Sequence, residues 1–160
     1  MKRRRYQARP KRRFNKKIFN ILQSPTTTQA ETTLSSVANS TSTAAFTFKM
    51  NKLSIAAIGN TSASTLIRWA LIKVPDGYSL NTLSATSGVP LYQPESDVLA
   101  CGVMALADSD SGTGSSTACQ NFKLKCSRKL QEGDSVVFVT DTNNATAVSV
   151  IALATFVELF

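Results

Sequence analysis

Ten of the first twenty residues are basic: Lys2, Arg3, Arg4, Arg5, Arg9, Lys11, Arg12, Arg13, Lys16 and Lys17; none in that stretch is acidic. Cations at this density neutralise phosphates, and the release of condensed counterions gives affinity without a fixed geometry or base reading. Tyr6, Phe14 and Phe19 are interspersed among them and offer rings on which exposed bases can stack. The whole chain of 160 residues has 18 Lys and Arg against 10 Asp and Glu, a net charge of +8. Since the leading stretch holds ten of those cations, the rest of the chain is close to neutral. The basic residues cluster at 2–5 and 11–13, a pattern that suits polyanion binding or nuclear entry better than a mitochondrial transit peptide. A second, smaller basic group is Lys123 and Lys125, with Lys129. These project from the polar side of a strand whose other side is Phe122, Leu124 and Cys126. Such a side either extends the arm's basic surface or is a solvated face guarding an edge strand.

Other chemistry is poorly supplied. There is no His, which removes Ser-His-Asp and Cys-His catalysis, His-bearing zinc sites and His-based pH switches. Cys101, Cys119 and Cys126 are an odd number without a C-x-x-C pair and suit reduced, partly buried thiols. Asp108-x-Asp110-x-Gly112 hints at calcium, but the twelfth position is Cys119 rather than Glu. Gly112-Thr113-Gly114 is not followed by the Gly-Lys-Ser/Thr of a phosphate loop. The expectation is therefore no catalytic residue, no metal, no cofactor and no enzyme. No apolar run reaches the roughly 18–20 residues of a membrane span. Ile18 to Leu22 is too short for a secretory h-region, so no stable membrane insertion is expected and the three N-x-[ST] sequons read as coincidence.

These side chains must be positioned by a body of roughly 130 residues, enough for one core. Residues 1–23 are expected to be a disordered arm, because like charges repel until a polyanion is present. Within it Phe14, Ile18, Ile21 and Leu22 fall on a helical stripe, which predicts at most a short helix. Residues 24–45 are Ser/Thr-rich and predict a linker or a first strand near 30–38. From 46 to 160 the pattern is β. Phe46, Phe48 and Met50 alternate in one phase, then Leu53, Ile55 and Ala57 in the other, which demands a bulge or bend at 51–52. Residues 65–74 are apolar in both phases, as in a strand covered on both sides. Pro75-Asp76-Gly77 and Gly133-Asp134 are turns, and residues 108–116 an exposed loop. Six segments, or about seven or eight with the bend and the 30–38 stretch, predict an all-β antiparallel sandwich or barrel, which the resemblance given next narrows to a single antiparallel jelly-roll sandwich.

Four pieces, in this order, resemble capsid proteins of small circular Rep-encoding single-stranded DNA viruses, the circovirus-like group. They are Trp69-Ala-Leu-Ile-Lys-Val-Pro-Asp-Gly77, Leu91-Tyr-Gln-Pro94, Val98-Leu-Ala-Cys-Gly102 and Ser127-Arg-Lys-Leu-Gln-Glu-Gly-Asp-Ser135. They span about half of the chain; it is short for the family, and Asp76 stands where Glu is more usual. Satellite virus coat proteins share the basic arm, similar length and jelly roll. The resemblance implies a jelly roll that assembles with itself into an icosahedral shell of about 60 copies. It also implies that the arm holds the single-stranded genome and engages nuclear import, placing the protein in the virion and the host nucleus. Sixty arms would carry roughly 600 positive charges against the phosphates of a small genome. DNA and RNA present the same phosphates, so the arm does not choose between them. A cellular nucleic-acid-binding β-barrel, of organellar ribosomal or single-strand-binding type, is the alternative; it calls for aromatic side chains lined up on one exposed face.

Overall fold

The computed structural model describes residues 14–26, 29–38, 45–59, 65–78, 80, 97–107, 116–143 and 148–160. Their nine strands are β1 (Phe14–Gln23), β2 (Ala30–Ser36), β3 (Phe46–Gly59), β4 (Thr65–Val74), β5 (Val98–Leu106), β6 (Ser116–Lys123), β7 (Ser127–Leu130), β8 (Ser135–Thr142) and β9 (Ser149–Leu159). Every pairing is antiparallel. Sheet A runs β1-β9-β3-β6, with β7 continuing alongside β3, and sheet B runs β2-β8-β4-β5. Counting β6 and β7 as one interrupted strand leaves eight, and late strands lie between early ones in both sheets. That interleaving is the double Greek key of a jelly roll.

The interruption has a local cause. Register slips between Met50 and Lys52 on β3, at the change of apolar phase. There the Leu124 amide donates to the Asn51 carbonyl (3.2 Å) and the Met50 amide to the Cys126 carbonyl (3.0 Å). The bulge lets Phe48 and Met50 before it and Leu53 and Ile55 after it all point inward, where none is exposed. Between the sheets, Trp69 packs on Phe122 with ring centroids 4.8 Å apart and on Phe138 at 6.3 Å. Gly102 lies opposite Trp69 on β5; a Cβ there would stand 2.8 Å from the indole, which accounts for a glycine inside a strand. Strand β4 is covered on both sides. Ile67, Trp69 and Leu71 belong to the central core, while Ala70, Ile72 and Val74 join Val137 and Val139 in a second apolar layer against Leu80 and Val98.

Two boundaries need correction. Residues 14–23, expected to be arm with a helical stripe, are the edge strand β1, paired with β9 from Phe14↔Leu159 to Gln23↔Val150. The strand near 30–38 exists, but as β2 rather than the first. The inward side of β1 hid its nature because it is half polar. Lys17 Nζ donates to Glu158 Oε1 at 2.7 Å, and Ser35 Oγ donates to the same oxygen at 2.8 Å. Gln23 Nε2 donates to Thr32 Oγ1 (2.9 Å) and the Phe138 carbonyl (3.2 Å), while Thr140 donates to Gln23 Oε1. Polar residues thus close the corner between the sheets, each satisfied by another.

Two segments, the end of β4 with its turn and the turn between β7 and β8, meet at one end of the sandwich around Asp134. Its carboxylate accepts from the Gln131 amide (2.8 Å) and the Asp76 amide (3.3 Å), and Lys73 Nζ lies 2.9 Å away. Gly133, at φ +78°, passes so close to Asp76 that any side chain there would collide with it. Burial works to raise the Asp134 pKa, but the Gln131 amide, Lys73 and the Asp76 amide together hold it below the ordinary carboxylate value.

Candidate nucleic-acid interface

Eight of the expected arm cations, Lys2, Arg3, Arg4, Arg5, Arg9, Lys11, Arg12 and Arg13, lie outside the described residues. The other two part company on β1. Alternation sends Lys17 toward the buried Glu158, with which it forms an ion pair while its own side chain stays 41% exposed. Lys16 is exposed on the outward face of sheet A, among Phe14, Ile18, Asn20 and Leu22.

The register assembles that outward face strand by strand. Lys16 lies opposite Val157, which lies opposite Lys49, which lies opposite Ser127. One row on, Ile18 meets Thr155, Thr155 meets Lys52, and Lys52 meets Lys123. On the other side of the first row, Thr47 faces Lys129. Lys125, exposed, follows in the short link that hydrogen-bonds the β3 bulge. Thus Lys123 and Lys129 share a face with Lys49 and Lys52, with Lys125 in the link between them, because the bulge aligns both β6 and β7 with β3. Lys49 and Lys52 were not singled out in the sequence; each is a lone lysine in an apolar strand and joins the group only through pairing.

The electrostatics are one-signed. Among the described residues no strand position on this face is acidic, since the one carboxylate of sheet A, Glu158, points inward. Lys52 and Lys123 stand directly opposite each other, an arrangement that costs stability unless an anion lies over it. The cationic rows occupy the half of the face that contains Phe14, the residue that follows the arm. The opposite half carries Leu22, Ile151, Leu153 and Ile58, all exposed. Lys16 of β1 and the lysines of β3, β6 and β7 therefore share one outward face that begins beside Phe14.

Sheet B's outward face is built otherwise. Arg68 donates to Asp141 there, and the carboxylate is fully buried; burial lifts its pKa above the ordinary value, with Arg68 pulling the other way. Trp69, which a base-stacking barrel would expose, is 1% exposed. Among the described residues no group of His, Cys, Asp and Glu is arranged to hold a metal, and no helix is long and apolar enough to cross a membrane. Cys101 and Cys119 are exposed rather than partly buried; Cys126 is half-buried, and burial pushes its thiol up. The 108–115 loop with its Asp pair lies outside the described residues.

No family model matches the sequence, and no curated protein matches it. Among solved structures, a chain from Desmodium yellow mottle tymovirus is similar at 14% identity, with a TM-score of 0.36, over 92% of this chain and 87% of that chain. The jelly roll rests on the strand order described above.

Proposed function

We propose that this chain is a capsid subunit: a jelly roll that assembles with copies of itself into a closed shell and gathers single-stranded nucleic acid inside it. The gathering surface is residues 2–13 together with Lys16, Lys49, Lys52, Lys123, Lys125 and Lys129. The observation that carries this reading is a lysine face on a jelly roll that holds no acid among the described strand positions and begins at Phe14, the residue next in sequence to the basic stretch 2–13. The four sequence pieces that resemble circovirus-like capsid proteins favour DNA as the packaged strand, about 60 copies in the shell, and nuclear import through the arm. Two of those pieces, ending at Gly77 and Ser135, contain the turns tied together by Asp134. No catalytic role is assigned. Inside a shell the arms act together, so weak phosphate contacts sum without base reading.

The test is deletion of residues 2–13, which spares β1. The shortened chain should keep its unfolding midpoint and form empty or nearly empty particles, seen by electron microscopy and by loss of nucleic-acid absorbance. Full packaging by the shortened chain carrying Lys49→Ala, Lys52→Ala and Lys123→Ala would overturn the reading. Small soluble species and no particles from the intact chain would point instead to the cellular β-barrel class.

A further inference from the structure

We infer that β1 pairs with β1 of a second copy about a two-fold axis through Ile18, joining two A sheets into one; this rests on the self-assembly proposed above. One side of β1 is taken by β9, and among the described residues no strand lies along the other. A ten-residue edge with free amides and carbonyls invites another strand. Its outward side chains are unusually apolar for an edge: Phe14 is 71% exposed, Ile18 64% and Leu22 74%. Natural edges are usually blunted by charge, Pro or shortness, and here Lys16 is the one outward charge.

The outward pattern Phe14, Lys16, Ile18, Asn20, Leu22 is self-complementary when the strand is reversed. An antiparallel pair centred on Ile18 places Ile18 against Ile18, Phe14 against Leu22 and Lys16 against Asn20 of the other copy. On the inward side, Lys17 meets Phe19 and Asn15 meets Ile21. Neighbouring registers are worse. Centring on Lys16 or Lys17 opposes like charges, which is destabilising. Centring on Phe19 sets Lys16 against Leu22 and Ile18 against Asn20. Centring on Asn20 leaves Phe14 and Lys16 beyond the strand. A two-fold contact must be self-complementary in this sense, and the Ile18 register alone satisfies both sides while engaging residues 14–22. The apolar residues Leu159, Leu153 and Ile151 of β9 lie opposite Phe14, Asn20 and Leu22 and widen the patch on either side of the axis.

Cysteine mapping in the full chain tests the register. In a Cys101→Ser, Cys119→Ser background, Ile18→Cys lies on the axis and should form a disulfide dimer under mild oxidation. Thiols held together see each other at millimolar effective concentration, so this should run on the order of a hundredfold faster than with the exposed control Tyr78→Cys. Phe14→Cys alone should behave like the control, because its two copies would lie roughly 27 Å apart along the strands. An equimolar mixture of Phe14→Cys and Leu22→Cys chains should cross-link to each other. Ile18→Lys should abolish the dimer, whereas Ile18→Val should keep it. Ile18→Cys reacting no faster than Tyr78→Cys overturns the inference, whether residues 2–13 or nothing covers the edge. Normal particles from Ile18→Lys would also sink it while leaving the capsid reading intact, and wild-type chains that form the dimer but never a particle would do the reverse.

Discussion

On the outward face of sheet B, Arg68 lies against a buried Asp141, and Ala70, Ile72, Val74, Val137 and Val139 are covered by a second apolar layer. On the outward face of sheet A, lysines from β1, β3, β6 and β7 stand without an acid among them, and Ile151 and Leu22 face solvent. The same fold thus spends its charges in two ways. Sheet B pairs Arg68 with Asp141 and buries Ala70, Ile72, Val74, Val137 and Val139, so these outer residues serve stability, while Leu66 and Val103 stay exposed toward its other end. Sheet A leaves both kinds of group open, which costs stability that the assembly and nucleic-acid binding proposed above would offset. Mutations should separate the two: sheet B changes alter folding, and sheet A changes alter binding.

The largest separation is expected in the apolar residues. Ile72→Ala on sheet B removes a side chain with no exposed surface and should lower unfolding free energy by about 2–5 kcal/mol. Ile151→Ala, at a position 47% exposed on sheet A, should change it by less than about 0.5 kcal/mol. Denaturant titration of both variants measures the contrast, and equal losses would mean that the two faces are not different in kind.

Asp134 gives the next largest effect and adds a pH signature. Its replacement by Ala removes the acceptor of two backbone amides and the partner of Lys73, at a cost of about 1.5–3 kcal/mol near neutral pH. Its carboxyl is held below the ordinary value when folded. The stability it supplies is therefore complete above the unfolded carboxylate pKa of about 3.9 and is lost as pH falls through the depressed folded value. Asp141 has the opposite sign: its pKa is raised by burial, so in the window between the ordinary and the raised value the folded chain binds more protons, and acidification there favours folding. Urea midpoints measured against pH should show a shallower acid loss in Asp134→Ala than in the wild type.

Elements whose cause is local were legible in the sequence. The phase change at 51–52, the two-sided apolar run of β4 and the Pro75 turn all appear where the residues place them. The end of the chain reads as strand because Val, Ile, Thr and Phe fill it, and β9 is there. Strand β1 was hidden because Asn15, Lys17 and Gln23, three of its five inward positions, are polar, and Glu158, Thr32 and Thr140, which partner Lys17 and Gln23, come from distant strands. With alternation masked, Phe14, Ile18, Ile21 and Leu22 resemble a helical stripe, and β9 decides the matter by pairing. The lysine face was half legible. Lys123, Lys125 and Lys129 lie close in sequence, but Lys49 and Lys52 reach them only through the β3 register, which no local pattern encodes.

Binding should respond on sheet A. Each phosphate neutralised on a single strand contributes roughly −0.7 to the slope of log affinity against log salt. The triple change Lys49→Ala, Lys52→Ala, Lys123→Ala should therefore flatten that slope by about 2 for an oligonucleotide, with little change in unfolding midpoint. Filter binding or fluorescence anisotropy across a salt series measures it. An unchanged slope would confine phosphate contact to the arm and remove the sheet from the interface.

The smallest expected effect is the most discriminating, because stability and binding should move in opposite directions. Lys52 and Lys123 face each other across β3 and β6, and like charges so placed repel. Lys123→Glu converts the repulsion into an opposite-charge pair, and cross-strand pairs of this kind are worth about 0.2–1 kcal/mol. Lys123→Glu should therefore raise unfolding free energy by a fraction of a kcal/mol while weakening oligonucleotide binding, since one cation is lost and a second is occupied. The gain should shrink as salt screens the exposed pair. Charge reversal elsewhere on a merely solvated face would not couple the two measurements with opposite sign. If Lys123→Glu weakens both folding and binding, the lysines are not poised against each other, and the strain attributed to the uncovered face is absent.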